Sequence, residues 1–128
     1  MNFLAPLVDR PTDRWILSNA RTGVVLANRI EAAFDRTTRN RGLLGRDGLD
    51  AGSALILAPC QSIHTWFMRF PIDVAFVRRD GRIVKAVADL RAWRLAASFR
   101  AFAAIELPAG VLASTDTRAG DELRLSAG

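Results

Sequence analysis

The residues with the most chemical capability crowd into one short stretch, Cys60 to Asp73, which reads Cys-Gln-Ser-Ile-His-Thr-Trp-Phe-Met-Arg-Phe-Pro-Ile-Asp and holds the chain's only cysteine and only histidine. Three kinds of chemistry compete for it. The first is nucleophilic: a histidine within hydrogen-bond reach can take the proton of a thiol and leave a reactive thiolate. On one extended strand, however, Cys60 and His64 would stand roughly 13 Å apart, so a bend would have to bring them together. The plain structural alternative is a small buried cysteine at a strand end. The second is ligand binding. Strand alternation places His64, Trp66 and Met68 on one face, with Thr65 between them on the other and Asp73 nearby. An apolar cleft with a few convergent polar groups is how small-ligand sites are built. The alternative is that Trp66 and Met68 are core and His64 is a histidine with its hydrogen bonds satisfied.

The third chemistry is a buried ion network. Asp73 and Glu106 each sit among apolar strand residues, and an unpaired buried carboxylate costs several kcal/mol. Arg41 and Arg46, beside the apolar Leu43-Leu44 pair, are the candidate partners. Two carboxylates could also work as an acid–base pair, but nothing in the sequence brings Asp73 and Glu106 together.

The elements that must position these groups fit in one domain. The chain has 128 residues, half of them apolar and 24% charged, a size and profile that support a core without disulfides or metal. A lone cysteine excludes an internal disulfide, and one histidine with one cysteine excludes a zinc site built on several such ligands. No metal or cofactor is expected. The net charge is +5, and Lys85 is the one lysine among 18 basic residues. A positive surface attracts polyanions without a dedicated site. No basic run or aromatic-interleaved basic motif is present, so the expected partner is a small molecule or a protein segment rather than nucleic acid. Met1 to Val8 lacks a basic leader and Pro6 breaks its apolar run, and no stretch approaches the ~20 apolar residues of a membrane span. A cytoplasmic protein without membrane insertion is expected. The oligomeric state is not legible.

Residues 1–12 read as a loose arm and 13–128 as the domain. Trp15–Leu17 and Val24–Leu26 suggest a hairpin, its second strand reaching toward Ala32. A helix is expected over 35–44, capped by Asp35 and ended by Gly45. Ala54–Ala58 is apolar on both faces, as a central strand is. Asp80-Gly81 suits a two-residue type I′ turn. That turn would set Arg79 opposite Arg82, Val77 opposite Val84 and Ala75 opposite Ala86, with Asp73 on the face of Val77 and Val84. A turn of helix is expected near Ala96–Arg100, and strands at Phe102–Leu107 and Glu122–Leu125. The sum is a mainly β domain of seven to eight short strands and one short helix, sandwich-like or barrel-like.

Several blocks carry a family resemblance: Arg41-Gly42-Leu43-Leu44-Gly45-Arg46; Ile63-His64-Thr65-Trp66-Phe67-Met68 with Pro71-Ile72-Asp73 and Phe76; Ile105-Glu106-Leu107-Pro108-Ala109-Gly110; and Gly120-Asp121. Over residues 24–126 the chain resembles the DUF192 family, prokaryotic proteins without an established reaction. The positions matching its motif are Arg41, Gly42, Leu43, Met68, Asp73, Glu106 and Gly110; Leu44 stands where many members have Met. The resemblance implies a compact, mainly β, sandwich-like domain and assigns no catalytic residue. From the residues, the expectation is a small binding or accessory module with its site near His64, Trp66, Met68 and Asp73, and with Thr65 among the ligand-binding residues. An enzyme using Cys60, His64 or Asp73 is the alternative, and a basic module touching nucleic acid the second.

Overall fold

Apolar runs without a polar face need cover on both sides, and they form the central sheet of this domain. The computed structural model describes residues 2–128. In chain order its elements begin with α1 (Ala5–Asp9), β1 (Trp15–Asn19), β2 (Val25–Ala27), β3 (Arg29–Ala33) and α2 (Arg36–Arg41). Then come β4 (Ser53–Leu57), β5 (Ser62–His64), β6 (Ile72–Val77) and β7 (Ile83–Leu90). The chain ends with β8 (Leu95–Ala97), β9 (Ala103–Pro108), α3 (Val111–Ser114) and β10 (Leu123–Ala127). The central sheet has the order β3-β4-β9-β6-β7. β3 runs parallel to β4, and the other pairs are antiparallel. A second sheet, β10-β1-β2, and a two-stranded ribbon, β5-β8, complete a mainly β, sandwich-like fold that does not close into a barrel.

Alternation along the central strands divides the core in two. One face sends Ile56, Val77, Ile105 and Leu107 against Leu17, Leu26 and Leu123 of the second sheet. The other sends Leu57, Val74, Phe76 and Ala104 against Leu43, Ile63, Met68 and Leu90. Every residue of β6 is buried. Full burial of each such Leu, Ile or Phe contributes about 1.5–3 kcal/mol.

The structure corrects several expectations. The N-terminal segment is not loose: Leu4 and Leu7, spaced for a helix turn, seat α1 in the first core. The helix expected over 35–44 is shorter. Asp35 does cap it, accepting from Thr38 N at 2.8 Å, but the chain leaves helical geometry at Gly42 (φ 47°), before Gly45. The strand expected to run to Ala32 breaks at Asn28, so that β2 pairs in one sheet and β3 in the other. The extended run from Ile63 stops at His64, because Phe67 turns left-handed (φ 64°). Leu95–Ala97 is a strand rather than a helical turn. With these breaks the strands among the described residues number ten and the helices three. The Ala58–Pro59 bond is cis, and Phe70–Pro71 is trans.

The long hairpin is also one residue longer at its turn. Gly81 N donates to Arg78 O, Gly81 alone takes positive φ, and Arg78 N donates to Arg82 O. This is a three-residue loop with glycine in the left-handed position, not a type I′ turn, which needs positive φ at both centres. Ala75 does oppose Ala86, but Val77 opposes Ile83, and a bulge separates the two pairs. Ile83 therefore joins the first core and Val84 packs on the second, the reverse of the expected faces.

Candidate functional site

The chemically capable residues converge on a cavity of about 380 Å³ over the second core. Its walls come from three places. The end of α2 contributes Arg39, Arg41, Gly42 and Leu43; the Pro59–His64 segment contributes Cys60 and His64; β9 contributes Glu106. Leu57, Ile63 and Met68 supply apolar lining. The helix must end where it does. Gly42 turns the chain so that Leu43 enters the core, and a Cβ on Gly42 would stand 3.9 Å from Glu106 Oε1.

Glu106 is the unusual member. It is 5% exposed, paired across the sheet with Leu55 and Val74. Burial pushes its carboxyl up to about 7, and the more distant Arg46 guanidinium offsets this only in part. Among the described residues no group donates a hydrogen bond to it, yet no buried side-chain oxygen in the fold is sealed without a partner. Its hydrogen-bonding capacity is therefore turned into the cavity. Near neutral pH such a carboxyl can both donate and accept.

The expected ion network does not form. Arg46 pairs with Glu31, at 2.8 Å, on the outside of the sheet. Arg41 is exposed at the cavity rim. Asp73 is fully buried but meets no arginine: Oδ1 accepts from Asp89 N at 2.9 Å, and Oδ2 from Gly110 N at 3.1 Å and Leu112 N at 2.9 Å. Backbone donors satisfy the charge where cations were expected. Asp73 follows the Ala75 and Val77 face, and Glu106 the Ala104 face, so the two carboxylates lie on opposite sides of one sheet and cannot work as a pair.

Of the residues expected to bind ligand, His64 and Met68 line the cavity; Thr65, Trp66 and Asp73 do not. His64 stacks on Trp66, centroids 4.7 Å apart, at the protein surface. Thr65 is buried and holds the 91–94 turn through its hydroxyl and backbone. Cys60 shares the cavity with His64, but its Sγ–H donates to Ser62 O at 3.1 Å, and burial pushes the thiol up. A bound thiol proton is the opposite of what a nucleophile needs. Arg39 and Gly42 were not singled out as ligand contacts. Gly42 lies inside the helix expected over 35–44, and the available signal was its being the first glycine after the Asp35 cap. Arg39, held by Phe34 O at 2.8 Å, carried no sequence signal.

No protein of curated function matches the chain. Two solved structures share its fold. One is a protein of unknown function from Novosphingobium aromaticivorans, with TM-score 0.74 and 19% identity, covering 87% of this chain and 83% of that one. The other, from Sinorhizobium meliloti, is described as a "putative transcription regulator", with TM-score 0.75 and 21% identity, covering 88% of this chain and 92% of that one. At these identities the likeness is one of fold. The DUF192 family model, described as uncharacterized, matches residues 17–125, nearly the whole domain, and the chain belongs to that family.

Proposed function

We propose that this protein is a small-ligand binding module, and that the cavity over Glu106 takes a small amphipathic anion. The observation that carries this reading is a buried carboxyl without an internal partner, opening into a cavity of ligand size. Arg39 and Arg41 offer guanidinium groups for a carboxylate or similar head. Leu57, Ile63 and Met68 receive an apolar body, and the Glu106 carboxyl in its protonated form donates to the same anionic head. The site overlaps the stretch around His64 and Met68 and leaves out Asp73. A cytoplasmic protein is part of the same proposal. Among the described residues no helix is long and apolar enough to cross a membrane, which says nothing of strands.

Nucleic acid is the competing partner, given a net charge of +5. Much of the arginine charge is answered internally, as in the Arg21–Asp121, Arg46–Glu31 and Arg69–Asp47 pairs. The test is an amide NMR titration with butyrate, hexanoate and hexanamide. Hexanoate is expected to shift Gly42, Met68 and Glu106 saturably, and Glu106→Gln and Arg41→Ala each to weaken it about tenfold, the loss of one charge-assisted contact. No saturable shift from any of the three, or equal binding by both variants, would overturn the reading. Steep salt-dependent retention on DNA would favour the competitor.

A further inference from the structure

The outer face of the β5-β8 ribbon points to a second activity, independent of the cavity. The inner face, Ile63 and Ala96, is buried in the second core. The outer face and its two ends carry Trp66, Phe67, Trp93, Leu95 and Phe99. Every strongly exposed aromatic side chain among the described residues lies here, with Phe67 72% and Phe99 86% exposed. A concentrated apolar surface on a small domain marks an interaction site.

The presentation is built. Phe67 and Trp93 both hold φ 64°, a left-handed conformation that bulky residues rarely adopt. Their rings meet at 4.6 Å. Thr65, fully buried between their turns, fixes both. Its N–H donates to Arg94 O at 2.9 Å, its carbonyl accepts from Trp93 N at 3.0 Å, and its hydroxyl accepts from Arg94 N at 2.9 Å. The fold thus holds two aromatic rings outward in a conformation that costs free energy.

Charge identifies the occupant. Arg69, Arg91, Arg94 and Arg100 lie next to these residues in the chain, and Lys85 Nζ donates to Ala97 O at 2.9 Å on the ribbon edge. Two carboxylates answer them, Asp47 on Arg69 and Asp89 on Arg91. Cationic side chains around exposed Trp and Phe match the boundary of an anionic bilayer. There the rings settle at headgroup depth and the guanidinium groups reach lipid phosphates. We propose that this ribbon docks the protein peripherally on an anionic lipid surface.

Flotation with vesicles of mixed phosphatidylglycerol and phosphatidylcholine, against phosphatidylcholine alone, tests it. The protein is expected to float with the anionic vesicles at low salt, to shift its tryptophan emission to the blue, and to release as salt is added. Asparagine tolerates the left-handed backbone, so the Phe67→Asn/Trp93→Asn variant should fold, checked by circular dichroism. It should lose about tenfold or more of the partition, from the apolar area removed. Val24→Thr, exposed just before β2 and away from the ribbon, should leave partition unchanged. Failure to float with anionic vesicles, which is the result a protein-docking stripe would give, overturns the proposal. So does equal retention on neutral vesicles, or an unaltered partition of the double variant.

Discussion

Replacing Asp73 by alanine removes the acceptor for three backbone donors at once. Asp89 N, Gly110 N and Leu112 N all end on its two oxygens, at 2.9, 3.1 and 2.9 Å, and the residue is wholly buried. An orphaned buried donor costs about 1–3 kcal/mol. Relaxation toward solvent is expected at Asp89 and Gly110, which are exposed residues, and least at Leu112, whose N–H is buried. A total loss of about 3–5 kcal/mol follows, out of a total of ~5–15 kcal/mol for a domain of this kind. For a chain of this length that is a fall of roughly 10–20 °C in Tm. Asp73→Asn keeps one acceptor oxygen, enough for the Asp89 side or the Gly110–Leu112 side but not both, and should lose roughly 2 kcal/mol. Urea denaturation gives the free energies, and amide exchange at Leu112 reports the local bond. A loss below about 1 kcal/mol for Asp73→Ala, with Leu112 still protected, would refute the reasoning.

The hairpin turn should be equally unforgiving. Gly81 holds φ 89°, and a Cβ there would strike the Leu123 carbonyl and crowd Phe3. Gly81→Ala should therefore destabilise by about 2 kcal/mol or more, whereas Gly23→Ala, left-handed but in open space, should cost about 1 kcal/mol by thermal melting. Cys60 should react with iodoacetamide at neutral pH far more slowly than a free thiol, because burial raises it; fast labelling would restore the nucleophile reading. Glu106 carries the pH dependence. Its folded value, about 7, lies above its ordinary 4.5, so between those limits the folded chain binds more protons than the unfolded one. The stability linked to Glu106 is full below pH ~4.5 and falls by about 3 kcal/mol as pH rises to ~7. Subtracting the profile of Glu106→Gln should isolate this slope, and identical profiles would contradict it. Asp121 acts with the opposite sign. Its hydrogen bonds from Arg21 and Asn19 hold it well below the usual carboxylate range. Its contribution is present above pH ~3.8 and lost on further acidification, and Asp121→Asn should flatten that acid limb.

What was legible in the sequence followed local physics. Alternation around Asp73 and Glu106 marks both as buried acids, and Asp35 marks a helix start. The apolar runs that became β4, β6 and β9 announce a sheet covered on both faces. The rest depended on contacts remote in sequence. Asp73 draws two of its donors from Gly110 and Leu112, and backbone N–H groups leave no trace in residue type. That is why arginines were the natural but mistaken partners. The three-residue loop at Arg79–Gly81 differs by one residue from the expected turn, and that shift exchanges the faces of Ile83 and Val84. Thr65 reads as one of the ligand-binding candidates on the strand, and its grip on the 91–94 turn appears only once β8 pairs with β5. The cavity joins a helix end, a proline-containing turn and a central strand, so Glu106 was legible as a buried acid but not as its floor.

The protonation of Glu106 is the claim on which the ligand site stands. Carbon-detected NMR of the Glu106 side-chain carboxyl, followed from pH 3 to pH 9, measures it directly. A midpoint near 7 is expected in the free protein, far from the ordinary 4.5, because burial disfavours the charged form. A midpoint at or below 4.5 would show the carboxylate already charged and partnered at neutral pH, and would contradict the proposed site.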